Sequence, residues 1–237
     1  MLEVALGYLI ALFLPGYCLT KILFPRGCSI DRLELTLLSI TLSMGTLSLC
    51  MTTLAFLRQL YFINILSMIL LFCILCSLIW FRKQVNIPKT LTLEETRDPA
   101  PVERPFKWVL LLLMLAIYSM CFYHAVFFPV TSWDALIYHL PVARGLYQEH
   151  SIPDIGILSG YPMLVPMIYS WFFFVTSSTN DLYIRTLPPI LGMVSLLEVT
   201  IISRSFFNRR SAFYSCFIFH RSSYYTCPYL REILSRH

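Results

Sequence analysis

The sequence predicts an all-α, polytopic integral membrane protein with about six transmembrane helices and an interfacial amphipathic external loop. Three observations predict it. Of 237 residues, 57% are apolar and 13% charged, and the mean hydropathy is +0.70. The apolar residues are gathered into blocks about as long as a bilayer is thick. These blocks also lack the polar stripe that a helix facing water carries, and a soluble domain of this length would hold about twice the charge. Helices are expected over strands because a lone strand in lipid leaves its backbone groups unpaired.

The candidate spans are 2–24, 33–57, 60–81, 108–128, 161–176 and 187–203. The first is not a cleavable signal: Glu3 sits where a basic region belongs, and Pro15-Gly16 interrupts a long apolar run. A retained helix is expected there, kinked where proline removes a backbone donor. The fifth span is short and is expected to start obliquely from the surface. Segment 84–106 carries Pro88, Pro99, Pro101 and Pro105 among mixed charges, which reads as a solvated cytoplasmic linker. It separates a three-span unit, 1–83, from a second membrane unit, 107–213, that holds the loop 130–160. Segment 214–237 has neither an apolar run of membrane length nor a helical period, the pattern of a truncated or frame-shifted product.

Basic residues set the orientation. Lys21, Arg26 and Arg32 follow the first span, and Arg82, Lys83, Lys89, Arg97, Arg104 and Lys107 follow the third, whereas the loop has only Arg144. By the positive-inside rule the first two groups are cytoplasmic and the loop is external. Strict alternation then puts Arg204, Arg209 and Arg210 outside, so either the fifth segment does not cross fully or the sixth does not end there. The net charge of +5 belongs to cytoplasmic loops beside anionic membrane lipid and calls for no nucleic acid, since no basic stripe is interleaved with aromatics. The eight cysteines are scattered, and Cys73-x-x-Cys76 inside an apolar helix reads as packing, with no zinc spacing.

The loop carries the chemistry. Trp133, Leu136, Ile137, Tyr138, Leu140, Val142, Leu146 and Tyr147 are spaced for an amphipathic helix in the interface, interrupted where Pro141 disfavours helix at Leu140 and itself begins a second short helix. On an α-helix Asp134 and Tyr138 share a face, while His139 points about 140° away from Asp134 and needs a partner elsewhere. A carboxylate partly buried beside Trp133 could take a proton from an acceptor hydroxyl or amine as that group attacks a sugar carbon, a step worth about 10²–10⁴ in rate. The alternative is that Asp134 only caps the helix, a position that favours Asp. Arg144 and Arg185 are each either phosphate ligands or membrane-end residues. Glu149 and Asp154 read as solvated or as substitutes for a second acid, His124 as packed or interfacial, and Tyr161-Pro162 as an interfacial anchor at a helix start.

Trp133-Asp134-x-x-x-Tyr138-His139-Leu140-Pro141-x-Ala143, then Ser151-Ile152-Pro153 and Tyr161-Pro162, resembles the first external loop of the GT-C superfamily of membrane glycosyltransferases, especially the group of protein O-mannosyltransferases and aminoarabinose transferases. The likeness continues through Asn180-Asp181-Leu182-Tyr183-Ile184-Arg185-Thr186-Leu187-Pro188 to Gly192, Arg204, Phe206-Phe207, Arg209-Arg210 and Ala212, covering residues 107–213. The resemblance implies a GT-C-like fold, a polyprenyl- or dolichyl-phosphate-linked sugar donor, and inverting transfer on the external face to an acceptor left undefined. It makes Asp134 the catalytic carboxylate, with Tyr138, His139, Arg144 and Arg185 as substrate-binding residues. It also implies a possible divalent metal. Many mannosyltransferases place a second acid after the aspartate, where this chain has Ala135, which puts a two-carboxylate or metal-linked mechanism in question.

The opening, Leu14-Pro15-Gly16-Tyr17 with Phe24-Pro25 and Asp31-x-x-Glu34, resembles that of prokaryotic multispan proteins of uncharacterised type, which points to a prokaryotic plasma membrane. Two other readings remain open from sequence: a non-catalytic membrane scaffold, and a transporter. The latter is disfavoured because Glu198 is the lone acid within a span.

Overall fold

A computed structural model describes residues 2–24, 32–84, 104–154 and 161–206. Most of the linker, loop residues 155–160, Arg26, Arg209, Arg210 and the 214–237 tail lie outside the described residues. The order is α1 (Leu2–Leu12), α2 (Leu14–Leu23), α3 (Arg32–Phe56), α4 (Phe62–Gln84), α5 (Arg104–Phe127), a π turn (Ala135–His139), α6 (Leu140–Glu149), α7 (Leu164–Thr176), a 3₁₀ turn (Ile184–Thr186) and α8 (Leu187–Phe206). There is no strand among the described residues. Among the described residues four stretches are long and apolar enough to cross a membrane: Glu3–Leu23, Arg32–Phe56, Phe62–Arg82 and Ile184–Ser203. The chain is therefore an all-α membrane protein.

The described residues form two compact units, Met1–Leu93 with Phe128–Arg185, and Glu94–Phe127 with Thr186–His237. The expected division put 107–213 into a single membrane unit; by contact, the loop and α7 belong with α1–α4. In the second unit α5 and α8 pack together, and a Cβ on Gly192 would sit in ordinary contact, 3.8 Å from the Tyr118 hydroxyl.

The kink expected in the first span divides it into α1 and α2, within one continuous apolar stretch, Glu3–Leu23. Pro15 has no N–H to give and its ring crowds the turn before it, so the helix breaks at Phe13 (φ −137°, ψ −48°) and restarts with proline in its first turn, where no donor is needed. The Ser43 hydroxyl of α3 donates to the Ile10 carbonyl just before the break, 3.4 Å away. The break lets α2 lie directly on α3. A Cβ on Gly16 would collide with the Ser39 carbonyl and the Ser43 backbone nitrogen. Beside that contact, the Thr20 and Ser39 hydroxyls meet at 3.2 Å while each also donates to a carbonyl of its own helix, Tyr17 and Leu35. Small side chains with internally satisfied hydroxyls are what close helix approach in lipid requires.

α3 turns into α4 through Arg58, whose φ of 55° is left-handed. The backbone amide of Gln59 donates to the Leu54 carbonyl at 2.8 Å, and Leu60 is wholly buried. α7 lies against α1, where the Trp171 indole donates to the Gly7 carbonyl at 3.1 Å. A Cβ on Gly7 would stand 2.9 Å from a Val175 methyl, so that side chain would have to shift. Nine consecutive residues of α7, Pro166 to Phe174, are buried. At about 1.5 Å per residue its 13 residues cover ~20 Å, short of a ~30 Å hydrocarbon core.

Candidate functional site

The described part of the loop, residues 130–154, carries a helix that is tied down at both ends. Its helix starts at Trp133 and runs to Glu149 with one π turn inside it, in which the Leu140 amide donates to the Ala135 carbonyl five residues back. The sequence reading expected an interruption at Pro141. The physical cause stands: Pro141 cannot donate to Ile137 and its ring crowds that carbonyl. The chain widens by one residue instead of breaking, and α6 continues from there.

That widening corrects the expected alignment. In an i→i+5 turn the side chains no longer follow the α period, and the Asp134 carboxylate acts electrostatically on the His139 ring, a smaller effect than burial. Tyr138 is turned inward: it is 5% exposed and its hydroxyl donates to the Pro162 carbonyl at 3.2 Å. Its ring lies 5.1 Å from that of Tyr161 and 5.0 Å from that of His139, and His139 meets Tyr169 edge-on at 6.2 Å. Burial, with a smaller contribution from Tyr161, pushes the Tyr138 phenol above its usual range. Burial holds the His139 imidazole below its usual range, and Asp134 offsets part of this. His139 Nδ1 is enclosed and has no hydrogen-bond partner.

Asp134 itself is exposed, as is Trp133 at 75%. The expected partial burial beside the indole does not occur, because the packed side of this helix falls on Tyr138, Leu140, Val142, Ala143 and Leu146. Nor does Asp134 cap the helix. It has helical angles (φ −61°, ψ −39°) and its side chain makes no capping bond, since a cap residue must leave the helical region for its oxygen to reach back. Its carboxylate is in no ion pair among the described residues.

At the far end, His150 terminates α6 in the left-handed region (φ 53°) and docks on the α3–α4 turn. The Leu60 amide donates to the His150 carbonyl at 3.2 Å, and His150 Nδ1 stands 3.0 Å from the Leu60 carbonyl. A carbonyl only accepts, so Nδ1 carries the proton. The His150 ring stacks between Tyr61, at 4.3 Å, and Phe174, at 5.9 Å. Sequence reading did not single out His150, and nothing in its neighbours marks it.

The two arginines are not gathered around Asp134. Arg144 lies on the exposed face of α6. Arg185 pairs with Asp181 at 2.7 Å and donates to the Phe128 carbonyl at 3.1 Å, while its Nε is buried without a partner. The four-residue spacing from Asp181 to Arg185 was a readable signal for that pair. Glu149 is exposed. Among the described residues no group of three or more His, Cys, Asp or Glu side chains could hold a metal ion. The donor set around Asp134, which lacks a second acid at Ala135, does not fit a divalent cation.

A family model described as a domain of unknown function (DUF8471) matches residues 1–101, which takes in α1–α4 and ends before the loop. No curated protein and no solved structure matches the chain.

Proposed function

We propose that the chain is a membrane glycosyltransferase, or part of one, that transfers a sugar from a polyprenyl-phosphate-linked donor to an acceptor at the external face of a prokaryotic plasma membrane. The observation that carries this reading is Asp134: an exposed carboxylate that makes no capping bond and no ion pair among the described residues, held on a helix that also carries Tyr138 and His139. Its sequence context resembles the external loop of the GT-C superfamily, whose donors are lipid-linked sugars.

In the proposed step the acceptor oxygen or nitrogen attacks the anomeric carbon as Asp134 takes its proton. The bond from that carbon to the phosphate oxygen breaks, and the lipid phosphate leaves with the electron pair. Tyr138 serves as a wall, since its hydroxyl is engaged with Pro162. Exposed Arg144 is available to a phosphate, and Arg185 is committed to Asp181 unless the donor displaces it. No step is routed through a metal. α5 is a fifth membrane crossing: its 24 residues cover ~36 Å.

The test supplies membranes containing the protein with a radiolabelled polyprenyl-phosphate hexose. Asp134→Asn is expected to lower transfer by about 10² or more. Transfer undiminished by that change would remove Asp134 from the chemistry.

A further inference from the structure

We propose that Cys18 of α2 and Cys73 of α4 are a redox-active thiol pair within the membrane, closed to a disulfide when a lipid-soluble quinone takes up their electrons. The inference goes beyond the transferase reading and is independent of it, since both residues belong to membrane spans and not to the loop.

Cys73-x-x-Cys76 by itself reads as packing on one apolar helix. The structure brings a third thiol to it from another. Pro15 breaks the first span at Phe13, and the chain restarts as α2, which packs against both α3 and α4. Cys18 sits near the middle of α2, and its thiol is hydrogen-bonded to that of Cys73. Cys76, three residues on and close to the same face, also lies within electrostatic reach of Cys18. Cys50 of α3 is the fourth thiol around Cys73. Among the described residues no three such side chains converge to hold a metal ion, so the chemistry open to this group is that of a pair.

The position of the pair selects its oxidant. Along the axis of α4, Cys73 stands about 16 Å from Phe62 and about 14 Å from Arg82. That depth is hydrocarbon, where a charged or hydrated oxidant does not dissolve. From the side the pair is open. On α4, Ile69 and Cys76 are buried while Leu70 and Ile74 are exposed, and Cys73 falls between these two faces, half-buried. Cys18 is half-buried as well. A flat apolar acceptor dissolved in lipid therefore meets the sulfurs, and water-soluble thiols that would reopen the bond do not.

Two S–H bonds break, one S–S bond forms, and the two electrons and two protons released convert the quinone to its quinol. Sulfurs already in hydrogen-bond contact need only side-chain rotation to reach bonding distance, about 2 Å. Cys76 is not the partner that Cys73 takes. Residues three apart on one helix hold their Cβ atoms about 5–6 Å apart, beyond the about 3.5–4.5 Å that a disulfide spans. The bond to Cys18 ties the short half-span α2 to α4, so the oxidation state of the lipid-borne carrier sets how firmly α2 is held.

The test places the full chain, reduced and under argon, in lipid vesicles and adds a decyl-substituted benzoquinone. Thiols are counted by alkylation after denaturation, and linked peptides are mapped by mass spectrometry. Of the eight thiols in the chain two are expected to be lost, with about one quinol formed per chain and a peptide joining Cys18 to Cys73. Cys18→Ser and Cys73→Ser are each expected to cut quinol formation about tenfold or more, whereas Cys121→Ser, on α5, leaves it unchanged. Cys18→Ala replaces Cys18→Ser should that variant fail to accumulate. Eight thiols retained in the parent chain overturn the proposal. So does a linked peptide that joins other cysteines in place of these two, or quinol formation undiminished in Cys18→Ser. Closure by aqueous copper phenanthroline and not by the quinone overturns the choice of acceptor.

Discussion

Replacing Gly16 by alanine tests whether the α2–α3 seam organises the membrane unit. The added Cβ would collide with the Ser39 carbonyl and the Ser43 nitrogen, both backbone atoms, so no rotamer change relieves it. The helices must separate, which also pulls apart the Thr20 and Ser39 hydroxyls now at 3.2 Å. Overpacking of this kind costs about 1–3 kcal/mol, and a clash with main chain belongs at the upper end, a factor of ~100 in the folding equilibrium. Gly45 of α3 is the internal control. Nothing stands within 4 Å of a Cβ there, so Gly45→Ala is expected to gain about 0.5–1 kcal/mol from reduced backbone entropy. Melting in detergent should show Gly16→Ala lower by ~5–10 °C and Gly45→Ala higher by ~2–4 °C. Equal melting of Gly16→Ala and the parent chain would refute the close-approach argument, because both variants make the same chemical change.

Three further outcomes are expected. His139 is held below its ordinary range chiefly by burial, with Asp134 opposing, so Asp134→Asn should lower its titration point further, read by NMR of 15N-labelled histidine. A depressed folded value means the unfolded chain binds the proton more readily. The contribution of neutral His139 to stability is then full above about pH 6.5 and is lost as pH falls toward the folded value, and His139→Gln should flatten that acid limb of melting against pH. Asp181→Asn leaves the Arg185 guanidinium, 20% exposed, with only the Phe128 carbonyl. A loss of about 1–2 kcal/mol is expected, between the worth of an exposed ion pair and that of a charged hydrogen bond out of water. A double-mutant cycle with Arg185→Gln checks it, and strict additivity would contradict the pairing.

Much of the fold is written in local features. The apolar blocks announce the helices, Pro15-Gly16 announces the break in the first span, and Pro141 announces a disturbance in the loop. What local pattern could not supply was register and environment. An α period applied to the loop does not foresee the π turn at Ala135–His139, which changes the register of the side chains that follow it. Apolar content likewise does not distinguish a helix wrapped by protein from one wrapped by lipid, so α7 reads as a span although Trp171, Phe172 and Phe173 are buried in protein. The docking of His150 on Leu60 joins residues 90 apart in the chain, through a backbone conformation that side-chain pattern does not encode.

The central claim is that the loop around Asp134 receives a phosphorylated isoprenoid at the membrane surface. A photoreactive polyprenyl-phosphate hexose, activated in membranes bearing the full chain and mapped by mass spectrometry, tests it most directly. Adducts are expected on the segment from Trp133 to Arg144. Adducts confined to the membrane helices, with that segment unmodified, would contradict the account.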